Sequence, residues 1–232
     1  MTAKQLFQAG KLTEAVRALS AEVRDNPTDA QRRTFLFELL CFAGEYDRAE
    51  KQLNVLASGN SETQLGAVLY HSALHAEKTR QEMFARQDLP LQAQLPQLGG
   101  TLNGAAFESI EDADPRIGPR LEVFAAGAYL WIPFEHITSV ETQPPKKLRD
   151  MLWLPALVRT GPAFQDKELG EVLIPVIYPH SGNHADENIR LGRSTVWDEN
   201  GIPGGQKMLL LDGEEFPILE VRNLEFTLKE SA

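Results

Sequence analysis

Residues 6–19 read LFQAGKLTEAVRAL, and residues 40–53 read LCFAGEYDRAEKQL. The two stretches lie 34 residues apart and share leucine, glycine and alanine positions, so that Gly10 corresponds to Gly44. A 34-residue period is typical of tetratricopeptide repeats, in which each unit is a pair of antiparallel helices. Glycine allows the tight turn between helices, and alanine allows close packing. The sequence therefore predicts helical hairpins at the N-terminus.

Apolar residues at helical spacing extend this pattern beyond the repeat itself. The predicted helices span residues 3–9, 14–25, 29–43, 48–57 and 62–86. Thr13 is predicted to cap the second helix, because its hydroxyl would accept a free amide proton. Lys78 and Met83 stand where a third unit would need glycine and a small residue. The last helix is therefore predicted to close the array.

The composition changes near residue 88. Only one of the 14 prolines, Pro27, precedes this point, and all three tryptophans follow it. Residues 88–100 read DLPLQAQLPQLGG, and their prolines and glycines cannot continue a helix. The prediction is a tetratricopeptide-like helical domain at 1–87, a linker at 88–100 and a second domain at 101–232.

Short runs of apolar residues separated by turn residues predict strands in this second domain. They are predicted at residues 105–110, 120–124, 128–134, 137–141, 171–178, 206–211 and 216–228. Residues 148–157 predict a helical turn followed by extended chain. Strands of this length and spacing are typical of an antiparallel sheet curled into a partly open barrel. The predicted fold class is α+β, with tetratricopeptide-like helical hairpins followed by an antiparallel, partly open barrel-like β domain.

Charge is distributed unevenly along the chain. The net charge is −10, and residues 1–87 carry 11 basic and 11 acidic side chains, so the whole excess lies in residues 88–232. Nucleic acid is therefore not expected as a partner, since phosphate contacts need clustered basic residues. No apolar run approaches the ~20 residues of a membrane span. A single cysteine and an N-terminus without a signal pattern predict a soluble cytoplasmic protein.

The leading helices of stacked hairpins line a concave side, and this side is the predicted partner-binding surface. The position of each residue within the 34-residue repeat indicates which side chains face this surface. They are Thr34, Glu38, Cys41, Phe42, Leu65, Val68, Ser72 and His75. Such a mixed, partly apolar surface would suit an amphipathic helix laid in a groove, and changes at Glu38 or Phe42 would then weaken binding. The alternative is that Phe42, Leu65 and Val68 pack against the second domain.

A second candidate site is the segment PHSGNHADEN at 179–188. His180, His184 and Asp186 are residue types that a metal-dependent hydrolase would use. The proline, glycine and asparagine of this segment predict a loop, however, and two histidines four residues apart need a helix to meet. No nucleophile elbow, phosphate loop or dinucleotide motif occurs elsewhere. The prediction is a protein without catalytic residues, bound metal or cofactor.

Arg190, Arg193 and Trp197 form a third cluster in RLGRSTVW, residues 190–197. The two arginines would hold a phosphorylated or acidic partner, or would pair with carboxylates of their own domain, which is the preferred interpretation. Those carboxylates are Asp198, Asp212 and Glu214. Trp197 is predicted to build the core of the second domain, together with Trp131 and Trp153.

Seven segments of the second domain carry a resemblance to a known family. They are DADPRIG (112–118), YLWIPFEHI (129–137), RDMLWLPALVRTG (149–161), LIPVIYP (173–179), RLGRSTVW (190–197), GQKMLLLDG (205–213) and EVRNLEFT (220–227). With the N-terminal repeat, they make the chain resemble the ImpE family, also called TagJ or SciE-type, of bacterial type VI secretion accessory proteins.

This resemblance implies a binding role. Family members look like adaptors that contact the N-terminal helix of the small subunit of the contractile sheath, TssB. They are thereby linked to sheath handling by the ClpV unfoldase. The resemblance provides no catalytic residues, and it does not identify which half of the chain would bind the sheath helix.

Overall fold

The computed structural model describes residues 1–59, 61–90, 98–161, 164 and 169–227. Within the fifth helix, the side chains of residues 61–63 and 65 are outside this description. Most of the predicted linker at 88–100 also lies outside the described residues, so the domain division stays a prediction.

Five helices form the N-terminal half, and each predicted boundary lies within two residues of the observed one. They are α1 (Ala3–Gln8), α2 (Leu12–Asp25), α3 (Ala30–Phe42), α4 (Tyr46–Ala57) and α5 (Ser61–Arg86). Gly10 and Gly44 adopt left-handed backbone angles, with φ of +78° and +71°. In both turns the residue after the glycine donates its N–H to the carbonyl five residues earlier, at 2.9 Å. This is the Schellman geometry, and it explains why glycine repeats at this position.

The C-terminal half is built from short strands and one short helix. The strands are β1 (Gly100–Leu102), β2 (Ala105–Phe107), β3 (Ile110–Asp112), β4 (Arg120–Ala125), β5 (Ala128–Pro133), β6 (Ile137–Thr142), β7 (Trp153–Thr160), β8 (Gly170–Pro175), β9 (Thr195–Trp197), β10 (Pro203–Gly205), β11 (Met208–Leu211), β12 (Glu214–Pro217) and β13 (Asn223–Phe226), and the helix is α6 (Glu187–Arg190). Eight of them form an antiparallel sheet in the order β2-β1-β13-β6-β7-β8-β4-β5. Its edge strands β2 and β5 do not pair with each other in the described residues, so the sheet is open. Helices followed by an open antiparallel sheet confirm the predicted α+β fold class.

Two predicted strands are each divided in the structure. The strand expected at 105–110 breaks because the Asp212 carboxylate accepts the backbone N–H groups of Glu108 and Ser109. Residues on either side of this break therefore join different sheets. The strand expected at 216–228 is interrupted by a 3-10 turn at Ile218–Glu220, and its last residue lies outside the described part of the chain.

The helical and sheet halves share an apolar core. Phe124, Leu152, Trp153 and Leu191 of the C-terminal half belong to the same buried cluster as the helices. A second core lies on the other face of the large sheet. Trp197 belongs to neither core and is 38% exposed, so its predicted place in the interior is wrong. It lies on the two-stranded β9–β10 ribbon, which the sequence did not predict.

A buried ion cluster joins α5 to the sheet. Arg80 is fully buried, and its Nε donates to Glu122 Oε1 at 2.7 Å. Its Nη1 donates to the carbonyl of Ile177 at 3.0 Å, and Glu77 accepts from the same nitrogen at 3.3 Å. A buried guanidinium needs such partners, because its desolvation penalty is several kcal/mol.

Lys207 extends this cluster from the other side. Its ammonium group contacts the carboxylates of both Glu122 and Asp112, and all three residues are buried. Although burial opposes the ionisation of Glu122, the charges of Arg80 and Lys207 outweigh it and hold the pKa of Glu122 well below its ordinary value. The helical half thus supplies one of the two cations that keep this sheet carboxylate charged.

A second junction between the halves is a contact between two backbone turns. Gly182, in the turn Ser181–Asn183, lies against the Gly44 turn between α3 and α4. A Cβ atom on Gly182 would lie 2.8 Å from the Cα and N atoms of Gly44. No side chain fits in this contact, so glycine is required at residue 182 for the turns to meet.

Candidate partner-binding groove

The concave side of the helical hairpins is divided by the C-terminal half. The 3-10 turn Leu148–Met151 and the following residues pack against α3, and the Trp153 ring centroid is 6.2 Å from that of Phe37. Trp153 and Leu152 share a buried cluster with residues of α3. These residues of the C-terminal half therefore cover the centre of the concave surface that the repeat pattern predicts.

Glu38, Cys41 and Phe42 are consequently buried, with exposures of 8%, 4% and 2%. The prediction that these three side chains line an open surface is wrong, and packing against the second half is the correct alternative for Phe42. The signal was present in the sequence, since residues 36–42 read LFELLCF. A helix that is apolar on all sides is buried on all sides.

The remaining predicted residues occupy different environments. The Thr34 hydroxyl donates to a carbonyl of its own helix at 2.9 Å. Val68 is 60% exposed, and His75 is also exposed. Ser72 is half-buried beside the turn between β4 and β5. The Leu65 side chain lies outside the described residues.

An open groove remains between α5 and the outer face of the large sheet, and we call it the α5 groove. It has a volume of about 610 Å³. One wall consists of residues of α5, and the other consists of residues from β4, β6, β7 and β8, together with Arg149 and Asp150. The residues of the α5 wall are Gly66, Leu69, Tyr70, Ser72 and Ala73. Side chains alternate along β7, so that Pro155 and Leu157 point to this groove while their neighbours enter the second core.

The α5 groove is apolar inside and acidic at its edge. Leu69 on the helix wall is 67% exposed, although it is a large apolar side chain. Glu141 and Glu171 lie on the sheet wall, and Arg159 pairs with Glu141 there. Arg149 lies with its guanidinium carbon 4.8 Å from the Tyr70 ring centre and therefore covers part of the wall. An exposed apolar strip with a polar edge is typical of a protein-binding surface.

A smaller groove lies between α1 and α3, with a volume of about 490 Å³. Phe7, Phe35 and Leu148 contribute apolar surface to it, and Glu38 reaches its floor. Burial raises the pKa of Glu38 to about 7, against the opposing charge of Arg149. Glu38 is therefore protonated more readily than an exposed glutamate, which makes this part of the groove less charged at mildly acidic pH.

The loop at 180–193 folds back onto the turns of the helical hairpins. Glu187 accepts the backbone N–H of Thr13 at 2.8 Å and also accepts its hydroxyl proton. Thr13 therefore does not cap α2 as predicted, and a carboxylate from the other half does so instead. Burial opposes the ionisation of Glu187, but the hydrogen bonds from Thr13 outweigh it and lower the pKa of Glu187.

Replacing Glu187 with alanine is expected to reduce the free energy of unfolding by about 1 kcal/mol, because the first turn of α2 loses its cap. Urea denaturation of the full chain measures this change. Glu199→Ala is the matched control, since Glu199 is exposed and caps no helix. Equal stability of the two variants would show that the contact with Thr13 contributes nothing.

The histidine segment does not form a metal site in the part of the chain that is described. His184 Nδ1 accepts the backbone N–H of Asp186 at 3.0 Å, and the Asp186 carboxylate caps α6. His180 lies at the start of the segment with a left-handed backbone. Among the described residues, no group of three His, Cys, Asp or Glu side chains is arranged to hold a metal ion. The arrangement gives no support to a hydrolase built on these residues.

The two arginines of the third cluster contact the helical half. Arg193 donates to the carbonyls of Phe7 and Gln8, at 2.7 and 3.3 Å, and lies over the Phe7 ring. Arg190 donates to the Thr13 hydroxyl at 3.3 Å and lies 3.7 Å from Glu187.

Arg190 lies near a carboxylate of its own half, Glu187, but among the described residues neither arginine pairs with the three carboxylates that the prediction named. Asp198 and Asp212 accept backbone N–H groups instead, and no ion pair of Glu214 occurs in the described part of the chain. The reason is that the segment folds away from the sheet onto α1 and α2. Such a long-range contact leaves no local pattern in the sequence.

Helical hairpins packed on an open antiparallel sheet, with grooves at their junction, define an α+β protein with several open surfaces. A family model described as ImpE protein matches residues 104–225. The type VI secretion system accessory component TagJ of Pseudomonas aeruginosa is 32% identical over 263 aligned residues, which cover 97% of this chain and 91% of that protein. The chain belongs to the ImpE family.

A solved structure supports the fold. The crystal structure of protein VPA1032 from Vibrio parahaemolyticus superposes with a TM-score of 0.86 and covers 98% of both chains, at 23% sequence identity. At this identity the likeness concerns the fold alone. Within the described residues, no helix is both long and apolar enough to cross a bilayer.

Proposed function

We propose that this chain is a non-enzymatic adaptor of the bacterial type VI secretion system. It binds the N-terminal amphipathic helix of the sheath small subunit TssB in the α5 groove, in the cytoplasm, and so links the sheath to its handling by ClpV. The observation that carries this proposal is an open apolar groove in a protein related to a type VI secretion accessory component.

The shape of the α5 groove fits a helical ligand. A helix with its side chains is about 10–12 Å across and buries one apolar stripe when it docks. The groove offers a helix on one wall and flat sheet on the other, so that such a stripe can contact Leu69 on one side and Leu157 on the other. Apolar anchors at the centre of a groove supply most of the binding free energy.

The charge at the edge of the groove selects among amphipathic helices. Glu141 on the sheet wall already pairs with Arg159, whereas Glu171 on the same wall has no ion pair within the described residues and favours a helix with a basic residue beside its apolar stripe. This edge also agrees with the acidic balance of residues 88–232. A helix with an acidic polar face would be repelled. The proposed ligand is thus an amphipathic helix with a basic polar face.

The proposal is tested by calorimetric titration of the full chain with a synthetic peptide of the N-terminal helix of TssB from the same bacterium. Saturable binding is expected. Leu69→Gln should weaken it at least about tenfold, because the variant loses a central apolar contact. Leu69 is 67% exposed in the free protein, so the substitution leaves the core intact.

Val55→Gln provides the matched control, since Val55 is 47% exposed on α4 and does not line the groove. Its affinity for the peptide should equal that of the unchanged protein. If Leu69→Gln bound the peptide as tightly as the unchanged protein, the peptide would bind outside the α5 groove. If the unchanged protein did not bind the peptide at all, the proposed partner would be wrong. Glu38 and Phe42 are unsuitable for this test because both are buried.

A further inference from the structure

A second groove, with a volume of about 620 Å³, has a different chemistry. It lies between α2, the start of α4 and α6, and four arginines line it: Arg17, Arg24, Arg48 and Arg190. We call it the arginine groove. The only carboxylate among its lining residues is Glu45, which pairs with Arg48. A basic groove contrasts with the net charge of −10 of the whole chain.

Arg17 and Arg24 form a basic stripe along α2. They are seven residues apart, which places them on one face of the helix about 10 Å from each other. Both side chains are exposed. Neither takes part in an ion pair within the described residues, and the lining between them consists of Ser20 and Ala21. Their charges are therefore available to a ligand along two turns of helix.

Arg190 closes one end of the arginine groove and has hydrogen-bonding capacity to spare. Its side chain is 16% exposed, and its Nε atom is buried without a hydrogen-bond partner. Its neighbour Glu187 lies 3.7 Å away and is already bound by the N–H and hydroxyl of Thr13. Glu187 therefore does not use the full hydrogen-bonding capacity of the Arg190 guanidinium.

We propose that the arginine groove binds an acidic peptide segment of a partner protein, with carboxylates spaced along two turns. We choose an acidic peptide because its carboxylates would complement the positive charges of the arginines that line the groove. The span of about 10 Å between Arg17 and Arg24 matches side chains seven residues apart on a helix and exceeds the size of a single phosphate group. Nucleic acid is disfavoured because the rest of the surface is acidic and four arginines provide few phosphate contacts.

The test uses the full chain and two fluorescein-labelled helical peptides of equal length. One carries glutamates at four- and seven-residue spacing, and the other carries glutamine at the same positions. At low ionic strength, fluorescence anisotropy should show saturable binding of the glutamate peptide and at least about tenfold weaker binding of the glutamine peptide. Added salt should weaken the first interaction, as it does for exposed charges.

The double variant R17Q/R24Q should weaken binding of the glutamate peptide at least about tenfold. Neither residue makes an ion pair in the described chain, so the fold should not change. R86Q is the control, because Arg86 is an exposed arginine at the end of α5 outside the groove. Leu69→Gln should bind the glutamate peptide normally, which separates this proposal from the α5 groove.

Equal affinity for the two peptides, or normal binding by R17Q/R24Q, would overturn the proposal. Displacement of the peptide by inorganic phosphate, but not by chloride at the same ionic strength, would also overturn it and indicate a small-anion site. Loss of binding in Leu69→Gln would place the acidic segment in the other groove. Binding of the glutamate peptide that R17Q/R24Q alone abolishes supports the assignment.

Discussion

Replacing Arg80 with methionine is expected to lower the free energy of unfolding by about 3–5 kcal/mol. The variant leaves Glu122 and Glu77 buried without the guanidinium that neutralises them. It also removes the donor to the carbonyl of Ile177. Uncompensated buried charge is far more destabilising than the loss of a surface ion pair. Urea denaturation followed by circular dichroism and by tryptophan fluorescence measures the change.

Lys78→Met is the matched control on the same helix. Lys78 pairs with Asp47 and Glu50, whose side chains are 86% and 44% exposed. Exposed pairs contribute about 0–1 kcal/mol, so this variant should be nearly as stable as the unchanged protein. If Arg80→Met were no less stable than Lys78→Met, the buried cluster would not hold the two halves together.

Glu38→Gln is expected to stabilise the protein at neutral pH and to reduce the dependence of its stability on pH. Burial raises the pKa of Glu38 from 4.5 to about 7 in the folded chain. The folded state therefore binds this proton more tightly than the unfolded state. The contribution of Glu38 to stability is therefore largest below pH 4.5 and is lost as pH rises to about 7, by a total of about 3 kcal/mol.

The measurement is chemical denaturation at several pH values between 4 and 8, expressed as the difference between Glu38→Gln and the unchanged protein. Asp112 also titrates in this range, since burial raises its pKa to about 6, but it contributes equally to both proteins. Glu199→Gln serves as the control, since Glu199 is an exposed glutamate. A difference that does not change with pH would show that Glu38 is solvated in the folded state.

The helical half was predictable because its signals are local. The glycine turn repeats after 34 residues, and the spacing of apolar residues marks each helix within a short window. Strands β4, β5 and β6 were also predictable, since each is a short apolar run between turn residues. The divided strands were not, because the break after Phe107 depends on Asp212, which is distant in the sequence.

The sites were harder to predict than the fold. Repeat phase placed α3 on an open concave side, whereas Trp153 of the sheet half covers it. Arg80, Glu122 and Lys207 were not singled out from the sequence, because charged residues are rarely buried and the contact of these three depends on the tertiary fold. The α5 groove likewise exists only because a helix and a sheet meet.

The contact between Gly44 and Gly182 has a mechanical consequence. Backbone meets backbone there, with no side-chain torsion that could rotate to release tension. A load applied to the sheet half would pass directly into the bend between α3 and α4.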